Sequence, residues 1–133
     1  MSSETRVLIT SADDIVTARQ SGRALATELG FDSVDVTMII TAISEVSRNI
    51  LEHAKRGEIL VSSLREDSRD GLCVVARDEG PGIPDVAQAM QYGYSSRRGL
   101  GVGLPGAKWL MDEFEIESKV GHGTTVTMKK WVV

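Results

Sequence analysis

Glu45 and Asn49 stand four residues apart in an apolar-rich stretch, and His53 follows after four more. Helical spacing of this kind puts all three on one face. A carboxylate beside a carboxamide can accept a proton and can offer a hard oxygen donor to a small cation. An ordinary solvated helix face would look the same. Asp78-Glu79-Gly80-Pro81-Gly82-Ile83 follows an apolar run directly, so Asp78 is expected at a strand end, facing a cleft. Gly80 and Gly82 would let the backbone turn sharply and approach a ligand with no Cβ in the way. A bare turn remains open here, because Asp, Gly and Pro dominate turns for local reasons. In Gly99-Leu100-Gly101-Val102-Gly103-Leu104-Pro105-Gly106, alternating glycines expose backbone N–H groups, and a helix follows with its positive end forward. Phosphate suits such a loop, and Arg97 and Arg98 just before it could add charge-assisted hydrogen bonds. Gly101, Gly103 and Gly106 also fit a dinucleotide fingerprint formally, but no buried strand precedes them. Lys108 is not followed by Ser or Thr, which removes a Walker motif. Gly121-His122-Gly123-Thr124-Thr125 reads by itself as a hairpin turn.

The elements that must carry these residues follow from periodicity. Arg6–Thr10 is a β-type run. Ser11 then caps a helix whose apolar positions Ile15, Ala18, Gly22, Leu25, Ala26 and Leu29 end at Gly30. A second helix begins near Asp32 or Ser33, carries a stripe from Val36 to Ala54, and is expected to end at Gly57. Glu58–Leu64 and Gly71–Arg77 form a hairpin through the polar stretch 65–70. Residues 86–92 are expected as a short helix, 93–103 as a mobile loop, and Leu104–Glu113 as a helix with Pro105 in its first turn. Phe114–Ser118 and Thr124–Trp131 complete a final strand pair. Strands joined as hairpins, with helices grouped between them, predict an α/β two-layer sandwich: one sheet covered on one face by helices.

The chain has 133 residues, 41% apolar and 26% charged, with a formal net charge of −4. One domain over residues 1–133 is expected. The acidic balance argues against nucleic acid as a partner, which would need clustered Lys and Arg. The opening residues lack the pattern of a signal peptide, and no apolar run is long enough to span a bilayer, so a cytoplasmic location away from membranes is expected. Cys73, the only cysteine, lies in an apolar run and reads as a buried thiol.

In this order the four segments resemble the ATP-binding boxes of the GHKL superfamily, which includes gyrase-type ATPases, histidine kinases, mismatch-repair ATPases and anti-sigma-factor serine kinases. Glu45-Val46-Ser47-Arg48-Asn49 is similar to the asparagine box. Asp78–Ile83, Gly99–Leu104 and Gly121–Thr124 resemble the glycine boxes. The resemblance runs from about Val7 to Trp131 and is nearest to the bacterial anti-sigma-type serine/threonine kinases, especially those of stressosome modules. Two features, His53 and Arg97, are more typical of the anti-sigma members.

The resemblance implies the Bergerat fold, a mixed, mostly antiparallel sheet with helices on one face. It implies ATP and Mg²⁺ as cofactors. Asn49 would ligate the metal, and Glu45 would act as general base, with Arg97 offsetting charge in transfer. Asp78 would accept a hydrogen bond from the adenine amino group, with Thr124 nearby. Gly80, Gly82 and Ile83 would border the base; Arg98, Gly99, Leu100, Gly101, Val102, Gly103 and Leu104 would wrap the phosphates. His53 is left as a capping or packing residue. The partners implied are STAS-domain substrate proteins (RsbS- or RsbR-like), with an RsbU-like phosphatase regulator or a sigma factor beside them. The implied activity is phosphorylation of those substrates in a partner-switching system. The other reading is an anti-sigma factor that sequesters sigma and phosphorylates its antagonist. A detached histidine-kinase domain or a gyrase-like ATPase is disfavoured, because each would need a further domain.

Overall fold

The computed structural model describes residues 4–83, 86–90 and 103–133. The elements run β1 (Glu4–Ile9), α1 (Ala12–Leu29), α2 (Ser33–His53), β2 (Gly57–Glu66), β3 (Arg69–Asp78), α3 (Val86–Ala89), α4 (Gly103–Leu110), β4 (Glu113–Lys119) and β5 (Gly123–Trp131). The five strands form one sheet in the order β1-β2-β3-β5-β4. Every described pairing is antiparallel, so the mostly antiparallel sheet expected is antiparallel throughout its described ladder.

Side chains alternate across a strand, and here the alternation chooses which face the helices cover. Val7, Ile9, Ile59, Val61, Leu72, Val74, Ala76, Val126 and Met128 point to one side and join Ile39, Ile43, Val46 and Ile50 of α2 in a single core. α1 lies close against α2 at Gly22, where an added Cβ would stand 2.3 Å from Ile43 Cδ1. The opposite face carries Arg6, Leu8, Glu58, Arg77 and Glu115, and no described helix lies over it. Cys73 lies on that side, buried, and burial pushes its thiol pKa up. Trp131 is buried there too. Its ring lies over Gly71, stacks with the Arg69 guanidinium at 4.0 Å, and donates from Nε1 to Glu113 Oε2 at 2.7 Å.

The helix starts follow local chemistry. Asp14 Oδ2 accepts from Thr10 N at 2.8 Å and from the N-cap Ser11 N at 3.1 Å, which ties the chain entering α1 to its first turn. Those bonds hold the Asp14 pKa below its ordinary value, the Thr10 backbone N–H contributing most. Gly30 ends α1 in the left-handed conformation at φ 94°.

Three expectations need correction. Gly57, expected to close α2, instead opens β2, and α2 stops at His53 through Ala54 and a left-handed Lys55 at φ 74°. A glycine is needed at 57 because an added Cβ would lie 2.5 Å from Arg77 O and 2.8 Å from Ile50 Cγ2. The expected six-residue connection shrinks to a two-residue turn. Asp67 and Ser68 both take positive φ there, at 50° and 66°, and Arg65 pairs with Asp70 across the strands at 3.0 Å. Finally, α4 ends at Leu110 rather than Glu113. Asp112 N donates to Lys129 O at 2.9 Å and its carboxylate accepts from Trp131 N at 2.8 Å, so β5 captures the chain early. Lys130, itself buried, donates from Nζ to Leu110 O at 2.9 Å and fixes the C-terminal end of α4.

Candidate functional site

α2 is the axis of the site. Glu45 is 8% exposed although it carries a carboxylate, and Arg48 Nη1 donates to its Oε2 at 2.9 Å. Glu45, Arg48, Asn49 and Glu52 line one side of a gap of about 20 Å³, and Gly103 and Leu104 at the start of α4 line the other. The asparagine segment and the end of the glycine-rich segment are thus brought together. Room of this size suits one water or a small ion. Among the described residues lining the gap, every side-chain donor or acceptor apart from Arg48 is an oxygen or amide group, a set that fits a hard cation such as Mg²⁺. Leu104 is buried in the core, so its backbone rather than its side chain is available to a ligand.

Asp78 closes β3 and is 8% exposed. Its Oδ1 accepts from Gly80 N at 2.9 Å and from Thr124 N at 3.2 Å, which locks the carboxylate in one orientation. Among the described residues nothing donates to Oδ2. Thr124 is the register partner of Asp78 across β3 and β5, and its Oγ1 lies 2.8 Å from Ser118 Oγ. The turn after Asp78 abuts the end of α2: a Cβ on Gly80 would stand 2.5 Å from Ala54 Cβ. Ala54 is five residues beyond Asn49, or about 7–8 Å along a helix. The Asp78 carboxylate therefore stands near the end of α2, and the Asn49 carboxamide about one and a half turns back.

The glycines in this region serve the protein's own backbone. Gly82 has φ 79°, and a Cβ there would lie 2.4 Å from Lys119 O. Gly123 has φ 96°, and a Cβ would lie 2.1 Å from Asp78 O. Ile83 is partly buried against the core, and its N–H donates to Ser118 Oγ at 2.7 Å. His53, expected to cap or to pack, is exposed and makes no hydrogen bond to a described residue, so it does not pack in the core. It stands in the last turn of α2, where a positive charge complements the helix dipole. Arg97, Arg98, Gly99, Leu100, Gly101 and Val102 lie outside the described residues, as does most of the loop expected over 93–103.

Three contributors were not foreseen. Arg48 at i+3 from Glu45 was available from spacing alone. Ser118 bridges Ile83, Gly123 and Thr124 from 35 residues beyond Ile83, and no local signal marks it. Glu52 lines the gap with Asn49, and the burial of its Oε1 was not readable from a helix-face pattern. A larger cleft of about 720 Å³ opens on the uncovered sheet face, between Leu8, Arg56 and Arg77. Glu58 holds the guanidiniums of both Arg6 and Arg77 there. It touches Asp78 but neither Glu45 nor Asn49, so it is separate from the gap on α2.

A family model described as a histidine kinase-like ATPase domain matches residues 9–130. The chain is 47% identical over 132 residues to the serine/threonine-protein kinase RsbT of Bacillus subtilis, covering 99% of each. It is 34% identical over 119 residues to the anti-sigma F factor of Caldanaerobacter subterraneus, covering 86% of this chain and 83% of that one. Among solved structures, the RsbU and RsbW domains of a Mycobacterium tuberculosis protein match with a TM-score of 0.63 at 26% identity, over 98% of this chain and 32% of that one. The catalytic domain of histidine kinase ThkA matches with a TM-score of 0.52 at 14% identity over 95% of each chain, a likeness of fold.

Proposed function

We propose, because the chain belongs to the histidine kinase-like ATPase family, that it binds ATP with Mg²⁺ and transfers the γ-phosphoryl group to a serine or threonine of a STAS-domain protein. One observation carries the reading. Asp78 holds one carboxylate oxygen fixed by two backbone N–H groups and keeps the other without a described donor, beside the end of the helix that bears Glu45 and Asn49. Such an oxygen selects a nucleobase that presents an amino group, and the separation along α2 leaves the phosphates near Asn49.

In this reading Asp78 Oδ2 accepts the adenine amino proton, and Thr124 and Ser118 keep the Asp78 turn in place. Asn49 would hold Mg²⁺ through its side-chain oxygen, and the charge neutralisation such a cation supplies to the phosphates is standard for phosphoryl transfer. Gly103 and Leu104, at the start of α4, line the same gap, where the positive end of a helix favours phosphate. Glu45 accepts the proton of the attacking hydroxyl as the new oxygen–phosphorus bond forms. The bond from the γ-phosphorus to the bridging oxygen breaks, and its electron pair leaves with ADP. Arg48 keeps the Glu45 carboxylate in one orientation. Arg97 is proposed to offset charge on the transferring group, and Arg98 with Gly99–Val102 to complete the phosphate wrapping. This positioning and electrostatic inventory suffices, because phosphoryl transfer asks little else of a protein.

The similarity to RsbT supports a stressosome-type partner-switching role with RsbS- or RsbR-like substrates and an RsbU-like phosphatase regulator as the next partner. The similarity to anti-sigma F factors supports a second reading, in which the chain sequesters a sigma factor. Transfer of radiolabel from γ-labelled ATP to purified STAS proteins tests the first reading. Label on the STAS protein with wild type, and a loss of about 10²–10⁴-fold with Glu45→Ala, is the expected result. No label on any STAS protein, together with capture of a sigma factor, would move the assignment to the second reading.

A further inference from the structure

Among the described residues that line the gap, Glu52 is the one acidic residue that the proposed function leaves without a task. It sits three residues beyond Asn49 and seven beyond Glu45, on the same face of α2, and lines the gap with both and with Gly103. Its Oε1 is shut off from water and receives no hydrogen bond from a described residue. Arg48, the cation among the described residues that line the gap, is engaged with Glu45 at 2.9 Å. A carboxylate oxygen that has lost its water and gained no donor is unfavourable in the free protein. Its position becomes reasonable if the missing partner arrives with the ligand.

We infer that Glu52 is a positioning residue for the divalent cation that enters with the nucleotide, holding one of that cation's water ligands while Asn49 supplies a direct oxygen. Mg²⁺ keeps several waters and is usually held by one or two carboxylates together with substrate phosphates. Asn49 is neutral, and among the described residues no group of three metal-ligating His, Cys, Asp or Glu side chains exists. A carboxylate beside Asn49 supplies the negative charge that the site otherwise lacks. Neighbours on a helix face have Cβ atoms about 5–6 Å apart, a span that a single metal-bound water bridges. Glu45 is less suited to this task because Arg48 already neutralises it. The inference rests on the ATP reading above.

The test is titration of Mn²⁺ into the protein saturated with ADP, with free Mn²⁺ followed by electron paramagnetic resonance, for wild type, Glu52→Gln and Glu52→Ala. Outer-shell partners of a metal are worth about 10–100-fold in affinity, so both variants are expected to bind Mn²⁺ at least about tenfold more weakly. ADP binding measured in EDTA should match wild type or be tighter, because a negative charge near the phosphates has gone. Glu52→Gln keeps the shape of the side chain, and its melting curve checks that the fold is retained. Wild-type Mn²⁺ affinity in both variants, with ADP still bound, overturns this inference and leaves the nucleotide site standing. Failure of the wild-type protein to take up ADP overturns both.

Discussion

Asp78→Asn separates the two jobs assigned to this carboxylate, because the amide keeps one oxygen and changes the other group into a donor. The oxygen must stay where Oδ1 is. The flipped amide would aim its NH₂ at the N–H groups of Gly80 and Thr124, now bonded at 2.9 and 3.2 Å, and leave two donors unsatisfied at about 1–3 kcal/mol each. The amide NH₂ therefore replaces Oδ2 and meets the adenine amino group donor to donor. Loss of a hydrogen bond to a charged acceptor is worth about 1.5–3 kcal/mol, or about 10–150-fold in affinity. The same NH₂ can donate to the carbonyl of hypoxanthine, which has an acceptor where adenine has its amino group. Isothermal titration with ADP and with IDP, both with Mg²⁺, should show wild type preferring ADP and Asp78→Asn reversing that preference. The nucleotide-free melting temperature should stay within about 4 °C, since both backbone hydrogen bonds survive. If the variant binds ADP within twofold of wild type and still discriminates against IDP, the assignment of Asp78 to the base is wrong.

Gly123→Ala should destabilise the fold by about 2–5 kcal/mol, combining a left-handed backbone at φ 96° with a Cβ 2.1 Å from Asp78 O, whereas Gly121→Ala, at φ 83° with open space around it, should cost only about 1 kcal/mol. Urea denaturation of the two variants compares them directly, and equal losses would contradict the close approach. Lys55→Gly should stabilise by about 0.5–1 kcal/mol, because Lys55 ends α2 at φ 74° and glycine removes that strain; a lower denaturation midpoint would count against it. Asp14 has a folded-state pKa below its ordinary 3.8, so its contribution is present above that value and is lost as pH falls through the folded pKa. Stability of wild type should accordingly fall more steeply below about pH 4 than that of Asp14→Asn, and parallel acid curves from denaturant titrations would refute the cap's role.

The order of elements and the identity of the helix face carrying Glu45 and Asn49 were legible in residue spacing, because helical periodicity is a local property of the chain. So was Asp78 at a strand end, since a turn-forming segment follows an apolar run. Element ends were less legible wherever a distant segment decided them. Gly57 looked like a helix stop, but it is a glycine because Arg77 O and Ile50 leave no room for a Cβ. α4 ended early because Lys129 and Trp131 capture Asp112.

What the sequence determined unaided is which side chains share a helix or strand face, because that depends only on the repeat of the backbone. What the tertiary structure alone decided is which of those faces meet. Ser118 reaches Ile83 and Thr124, Gly80 presses on Ala54, and Glu52 loses its water beside Gly103 only once strands and helices have packed. Desolvation and hydrogen-bond partnership are properties of three-dimensional neighbours, and no spacing along the chain encodes them.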